Sequence, residues 1–195
     1  GCKWDDGAGT ITDPLNPFID AYGSNYFVAK FNNDRDYQWH TFIGPHAIGG
    51  NAKGGNMDIV VKGSDIYLTG ASYFRMSIPG VVPAIDHDDA NSEGDRVCQE
   101  GFVLKMNNSG SVLWYTYLGY DYDAAPLNSG DGAWPNGIDA DLAGNIYITG
   151  TSPRNFRYPH TSPIHPKYNF GDPDCFIMKI NSNKNTNDCI EWNTF

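Results

Sequence analysis

The feature that most constrains this chain is a short motif that occurs three times at nearly even spacing. Phe-Val-Leu-Lys at 102–105 is repeated as Phe-Val-Ala-Lys at 27–30 and as Phe-Ile-Met-Lys at 176–179. Each copy is followed by a tryptophan that begins a Trp-x-Thr-aromatic pattern, at Trp39, Trp114 and Trp192. A fixed period with variable spacers indicates repeated supersecondary units, none of which can bury its apolar face alone.

A second motif lies between these copies, as Ile-Tyr-Leu-Thr-Gly at 66–70 and Ile-Tyr-Ile-Thr-Gly at 146–150. Charged residues make up only 18% of the chain and glycine is frequent, while no segment keeps a helical period. This composition favours short strands joined by turns. Alternating apolar and polar residues around turn signals predict five hairpins, at about 25–43, 57–70, 101–118, 137–150 and 174–195.

Four antiparallel strands per unit, repeated at even spacing, are typical of β-propeller blades. The sequence therefore predicts an all-β chain of about two and a half blades that is part of a larger propeller. The partial blade spans about 1–43, and the two complete blades span about 57–118 and 137–195. In this arrangement the three motif tryptophans fill the space between neighbouring sheets.

The charge balance narrows the class of partner. The chain has 13 Lys and Arg residues against 23 Asp and Glu residues, which gives a formal net charge of −10. Nucleic acid and anionic membrane surfaces are therefore poor partners. No apolar run approaches the roughly 20 residues that are needed to span a bilayer. A cation, a glycan or a protein surface suits the charge better.

The four cysteines, Cys2, Cys98, Cys175 and Cys189, permit three complete disulfide pairings, and the sequence does not choose among them. The absence of a CxxC spacing argues against a zinc knuckle or a redox pair. If residues 181–188 form a turn, Cys189 lies opposite Ile180, which disfavours a bridge between Cys175 and Cys189. Free thiols and disulfides of an exported protein both remain open.

The run Asp-Ala-Asp-Leu-Ala-Gly-Asn-Ile-Tyr-Ile-Thr-Gly-Thr-Ser at 139–152 is followed by a loop, Asp-Cys-Phe-Ile-Met-Lys-Ile-Asn at 174–181 and the tryptophan pattern. This order resembles the bacterial SBBP-type β-propeller repeat over almost the whole chain. The resemblance implies a propeller in a secreted or cell-surface bacterial protein, and it brings no catalytic residues with it. The long loop at 71–100 and the lengthened last turn depart from the family pattern.

The long connections are expected at one end of the sheets. Because strand directions alternate, segments 44–55, 71–100, 119–135 and 151–173 all emerge at one face, and the short turns emerge at the other. Loops of this length in a compact fold are usually functional or mobile. The sequence therefore predicts that ligand contacts lie on the long-loop face.

The acidic loop at 86–100 fits a calcium-binding pattern that starts at Asp89. Oxygen-bearing side chains occur at alternate positions, Gly94 stands at the sharp turn, and an acid stands at the twelfth position, as Ca²⁺ requires. The predicted ligands are Asp89, Asn91, Glu93, Asp95 and Glu100. However, Arg96 stands where an apolar residue normally anchors such a loop, and no helices flank it. A solvated acidic loop without metal is the alternative.

A second cluster mixes carboxylates with aromatic rings in the connector at 119–135. Sugar C–H faces stack on aromatic rings and acids accept hydroxyl protons, so this mixture suits a glycan site. The predicted ligand-binding residues are Tyr120, Asp121, Tyr122, Asp123, Asp131 and Trp134. The alternative for Trp134 is packing between two blades.

No arrangement of residues points to catalysis. The histidines have no metal-ligand spacing, nucleophile and phosphate-loop motifs are missing, and no pair of carboxylates stands out as glycoside hydrolysis would require. The sequence predicts a non-catalytic binding or structural scaffold of an exported protein, with proteins or glycans as partners. Two alternatives remain: a carbohydrate-active propeller enzyme, and a subunit that pairs with further blades or other copies of itself in a ring or fibre.

Overall fold

The computed structural model describes residues 3–5, 11–15, 26–43, 57–72, 76, 78, 80–85, 100–118, 133–152, 164 and 173–195. Within these ranges the chain is built of β-strands, with one 3-10 turn at Asn187–Cys189. This confirms the predicted all-β class. The described part of the chain contains no helix that is long and apolar enough to cross a membrane.

Three antiparallel sheets form the body of the fold, and they are named blades 1 to 3 in chain order. A separate pair of short strands, β1 (Trp4–Asp5) and β2 (Ile11–Thr12), precedes them. Blade 1 consists of β3 (Tyr26–Phe31) and β4 (Tyr37–Ile43). Blade 2 has the order β5 (Asp58–Lys62), β6 (Asp65–Ser72), β7 (Glu100–Asn107) and β8 (Val112–Leu118). Blade 3 has the order β9 (Trp134–Ala140), β10 (Asn145–Ser152), β11 (Asp174–Asn181) and β12 (Ile190–Thr194).

The strand register explains why the two sequence motifs recur together. In both complete blades the glycine of one motif lies opposite the phenylalanine of the other, as Gly70 opposite Phe102 and Gly150 opposite Phe176. A Cβ atom at Gly70 would lie 3.0 Å from the Phe102 ring, and one at Gly150 would lie 2.7 Å from the Phe176 ring. The Thr-Gly end of the first motif therefore makes room for the aromatic ring of the next strand.

The apolar core is divided between the two seams that separate the blades. Successive side chains of a strand point to opposite faces, so blade 2 contributes to both seams. Leu68 and Phe102 pack toward Trp39 of blade 1, whereas Val103 and Trp114 pack with residues of blade 3. Because both faces of blade 2 are covered, its middle strands are apolar almost without interruption.

The predicted strand limits differ from the structure mainly at the ends next to the long loops. β9 begins at Trp134 and not at about 137. A β-bulge between Thr149 and Gly150 shifts its register, so that Pro135 lies opposite Gly150 and Trp134 opposite Thr151. Pro135 obscured this strand start, because proline usually argues against a strand interior and is accepted at strand ends and bulges. Trp134 is therefore a strand residue and not part of the connector.

Loop residues run along the outer strand of every blade. In each case a backbone N–H in the loop donates a hydrogen bond to the carbonyl of the residue after the motif tryptophan. The bonds join Leu15 to His40, Ala84 to Tyr115 and Ile164 to Asn193, each at 2.9 Å. A proline precedes each donor, at Pro14, Pro83 and Pro163. Residues 84–85 of the loop at 71–100 thus lie against an outer edge, where they cover backbone groups that a bare edge strand would expose.

Candidate functional site

The same pair of polar residues stands at the loop end of both complete blades. Ser72 lies opposite Glu100 in blade 2, and Ser152 lies opposite Asp174 in blade 3. Residues opposite each other in an antiparallel pair share a face of the sheet. Each serine and acid therefore belong to the face turned toward the preceding blade, at the mouth of a seam. We name this set, together with Trp134, the loop rim.

Glu100 is the one predicted calcium ligand that the structure describes. It is the first residue of β7 and is only 3% exposed. A carboxylate in such an enclosed position is costly to bury, and its electrostatic interactions are stronger than those of a surface acid. This makes Glu100 the candidate functional group of the rim. The other predicted ligands, Asp89, Asn91, Glu93 and Asp95, lie outside the described residues.

The sequence predicts Trp134 in the glycan site and Glu100 in the calcium site. In the structure the strands that carry them begin close together, but the two side chains belong to different faces. A Cβ atom at Gly101 would lie 2.9 Å from Cδ of Pro135, so the starts of β7 and β9 are in close contact. Trp134, however, is opposite Thr151, on the face of blade 3 that is turned away from blade 2. The predicted partners of Trp134, which are Tyr120, Asp121, Tyr122, Asp123 and Asp131, lie outside the described residues.

A hydrogen bond also ties blade 3 to blade 2. The backbone N–H of Ile138 in blade 3 donates to Oδ2 of Asp58 in blade 2 at 3.0 Å. Such a bond to an ionised acceptor is stronger than one between neutral groups. It joins the inner strands of two blades, below the rim, and so limits how far the seam opens.

The motif tryptophans join the blades at the opposite end, where the short turns lie. The indole N–H of Trp39 donates to the carbonyl of Asn108 at 3.1 Å, and that of Trp114 donates to the carbonyl of Lys184 at 3.0 Å. In both cases the acceptor belongs to the outer hairpin turn of the next blade. We name this repeated contact the tryptophan clasp. It places Trp39 and Trp114 in the packing between blades.

Two of the three motif lysines, Lys105 and Lys179, form ion pairs within their own sheets, whereas Lys30 donates a hydrogen bond to Asn108 of blade 2. Lys105 lies 2.9 Å from the Asp65 carboxylate and 5.6 Å from the centre of the Tyr67 ring. Burial acts to lower the pKa of Lys105, but the hydrogen bond to Asp65 and the nearby Tyr67 outweigh it and raise that pKa. Lys179 lies 2.7 Å from Glu191 on the neighbouring strand. These charges stabilise their own sheets.

Two of the four cysteines are described, and neither forms a disulfide. Cys175 is exposed and Cys189 is buried. Burial raises the pKa of the Cys189 thiol to about 11, so this thiol is almost entirely protonated at neutral pH and reacts slowly. β12 pairs through Ile190 opposite Ile180, one residue from the predicted register. Cys2 and Cys98 lie outside the described residues.

The described part of the chain contains no preformed cluster of side chains for a metal ion. No group of three or more His, Cys, Asp or Glu side chains there is arranged to hold an ion. Residues 86–99 of the acidic loop lie outside that part. The calcium site therefore stays a prediction.

The serine and acid pairs of the rim were missed in the sequence, although a signal for them exists. The serine follows the Thr-Gly pair at the same distance in both blades, and the acid stands two positions before the motif phenylalanine, as Glu100 before Phe102 and Asp174 before Phe176. Their significance depends on pairing between strands that a long loop separates. Only the register showed that serine and acid lie side by side.

Comparison with known families supports the propeller assignment. The β-propeller repeat family SBBP matches residues 113–157. The matched segment begins in β8, the outer strand of blade 2, and ends shortly after β10 of blade 3, so it spans one seam. No curated protein matches the chain. The resemblance to the SBBP-type repeat is thus confirmed over these residues.

Proposed function

We propose that this β-propeller module is a non-catalytic binding scaffold of an exported or cell-surface protein, with its ligand contacts on the loop rim. The observation that carries the proposal is the serine and acid pair that recurs at the loop end of both complete blades. Repetition of polar groups at one position of a repeat, at the loop end of the strands, is expected of groups that serve a shared ligand.

The distribution of the other polar groups supports this choice of surface. Asp65 and Glu191 neutralise Lys105 and Lys179, and Asp58 joins two blades. Trp39 and Trp114 form the clasp at the opposite end. The rim is where equivalent polar side chains of successive blades meet the long connections, and binding residues concentrate on such loops.

The spacing of the rim groups favours a ligand that itself repeats. Glu100 stands at the seam between blades 1 and 2, and Asp174 stands at the seam between blades 2 and 3. A polysaccharide offers hydroxyl groups at regular intervals, and a carboxylate accepts hydrogen bonds from such hydroxyl groups. Trp134 adds an aromatic ring at the same end. A glycan chain is therefore the proposed ligand class, with a protein surface as the second.

A glycan array probed with the purified chain tests this proposal. We expect binding to one or more polysaccharides, at least tenfold weaker in Glu100→Gln and in Asp174→Asn, because each change removes a charged acceptor while keeping the side-chain volume. Asp34→Asn is the matched control, since it removes one exposed charge at the short-turn end and should bind as the parent does.

Two results would contradict the proposal. One is unchanged binding in both rim variants while their melting temperatures match that of the parent chain. The other is cleavage of the bound glycan, seen as new reducing ends, because that would identify a carbohydrate-active enzyme instead of a scaffold.

A further inference from the structure

The loop that joins β6 to β7 contacts both seams of blade 2. We name a set of its described residues the strap: Met76, Ile78 and 80–85. At the start of the strap, Met76 is 3% exposed and belongs to the core cluster between blades 1 and 2. At its end, Ala84 is 8% exposed and belongs to the core cluster between blades 2 and 3. The two ends of one short segment are thus buried in different seams.

Two tyrosines of β8 hold the first end of the strap. The backbone N–H of Met76 donates a hydrogen bond to the hydroxyl of Tyr117, and the hydroxyl of Tyr115 donates to the carbonyl of Met76 at 3.5 Å. The two tyrosine rings also make an edge contact, with their centroids 5.9 Å apart. Buried peptide groups need such partners, because an unpaired N–H or carbonyl away from water is costly. The seam between blades 1 and 2 therefore includes a bound peptide group of the strap.

A turn then carries the strap from one seam to the other. The backbone N–H of Val81 donates to the carbonyl of Ile78 at 3.1 Å. Gly80 has a φ of 76° in this turn, a conformation that glycine adopts at no steric cost. Ile78 and Val81 still pack against the first core cluster, whereas Ile85 packs against the second. The strap therefore crosses the outer edge of blade 2 between Val81 and Ala84.

The outer strand β8 also holds the second end of the strap. The backbone N–H of Ala84 donates to the carbonyl of Tyr115 at 2.9 Å, and the backbone N–H of Tyr117 donates to the carbonyl of Ile85 at 3.1 Å. The N–H of Ile85 donates to Oγ1 of Thr116 at 3.2 Å. Tyr117 thus bonds to both ends of the strap, through its hydroxyl at one end and its backbone at the other.

We propose that the strap makes the two seams of blade 2 open and close together. In a repeat protein each unit contacts only its neighbours, so separate seams are expected to open independently. The strap adds a direct coupling, because neither of its ends leaves a seam without disturbing the bonds to Tyr117 that hold the other end. Blades 1 to 3 then behave as one cooperative unit. This proposal does not depend on ligand binding at the rim.

Hydrogen exchange of the purified chain, followed by mass spectrometry, tests the proposal, because it measures how often each segment opens. Ala84→Asp places a charge in the seam between blades 2 and 3. We expect backbone exchange to rise about fivefold or more in β11, which lines that seam. The same rise is expected in β4 of blade 1, which lies at the other seam.

Tyr117→Phe disturbs the strap from its first end. The change keeps the aromatic ring in the core and removes the hydroxyl that accepts a hydrogen bond from Met76. We expect exchange to rise in β4 and in β11 together, as it does for Ala84→Asp. Because this variant adds no charge and leaves little empty space, it stays informative if Ala84→Asp fails to fold.

Two control variants separate the strap from other routes of coupling. Ile146→Ala opens a cavity in the seam between blades 2 and 3 from a residue outside the strap, so exchange should rise in β11 but not in β4. Val82→Asp changes a strap residue that is 73% exposed, and it should exchange as the parent chain does.

Two outcomes would overturn the proposal. One is that Ala84→Asp raises exchange only in β11 and Tyr117→Phe raises it only in β4, because the seams would then open independently. The other is that Ile146→Ala raises exchange in β4 as strongly as the strap variants do, because the coupling would then run through the sheet of blade 2.

Discussion

The motif lysines of the two complete blades form ion pairs with acids on different strands. In blade 2, Lys105 on β7 pairs with Asp65 on the preceding strand, β6. In blade 3 the position of Asp65 is taken by Asn145, and Lys179 pairs with Glu191 on the outer strand. Neither lysine can be buried against its neighbours at low cost without a nearby negative charge. The motif therefore specifies a lysine, and each of the two complete blades supplies its acid from a different neighbouring strand.

The Glu191 ion pair makes a prediction about acid stability. Hydrogen bonds from Lys179 and Asn181 lower the pKa of Glu191, so its contribution is present above the ordinary glutamate pKa and is lost as pH falls through the lowered value. We expect Glu191→Gln to flatten the loss of unfolding free energy over that acidic range. Urea unfolding at a series of pH values measures this.

Asp34→Asn is the matched control for this experiment, because Asp34 is an exposed acid in a short turn. Its acidic profile should follow that of the parent chain. If Glu191→Gln loses stability with falling pH as steeply as the parent does, the pair contributes nothing to acid sensitivity.

At the scale of elements, the close contact between motif glycine and motif phenylalanine decides how tightly adjacent strands pack. A Cβ atom at Gly150 would lie 2.3 Å from the carbonyl oxygen of Trp134, which is backbone, and also close to the Phe176 ring. At Gly70 the nearest atoms belong to the side chains of Phe102 and Tyr26. Backbone cannot move aside as easily as a ring can rotate.

Alanine substitutions at the two glycines should therefore differ in their effect. We expect Gly150→Ala to lower the unfolding free energy by about 3 kcal/mol and Gly70→Ala by about 1 kcal/mol, within the range seen for overpacked cores. Chemical denaturation of both variants measures the difference. Equal losses would show that the bulge at Gly150 relaxes to accept a side chain.

The acidic loop is the element whose role the sequence left open. If residues from Asp89 to Glu100 bind Ca²⁺, the ion stabilises the folded state by mass action. We expect calcium to raise the melting temperature by several degrees and Asp89→Ala to abolish that shift. Magnesium is the matched control, since a loop of this kind prefers the larger ion. A parent chain that melts at the same temperature with and without calcium would rule the site out.

At the scale of the whole molecule, the two ends of the blades carry different kinds of contact. The short-turn end holds the tryptophan clasp, which ties each outer strand to the next blade. The loop end carries the serine and acid pairs. A repeat protein gains its stability from contacts between neighbouring units, so residues that join the blades are separated from those proposed to bind a ligand.

Much of this fold could be predicted because its signals are local. Strand alternation and turn residues such as Gly63-Ser64 act within a few positions. The ends of the predicted strands therefore lie within three residues of the observed ends. The start of β9 was missed because Pro135 hides a strand that only its pairing with β10 maintains. The ligand residues predicted for the loops fall mostly outside the described residues, and those calcium and glycan sites stay predictions.

The sequence by itself determined the repeat, the strand class and the residues that each unit must bury, because these depend on periodicity along the chain. The tertiary structure decided which residues from distant parts of the chain are in contact. The pairing of Ser72 with Glu100, the clasp from Trp114 to Lys184 and the loop residues along the outer edges all join positions far apart in sequence. These contacts depend on strand register and on how the sheets stack, and local sequence propensities do not specify either.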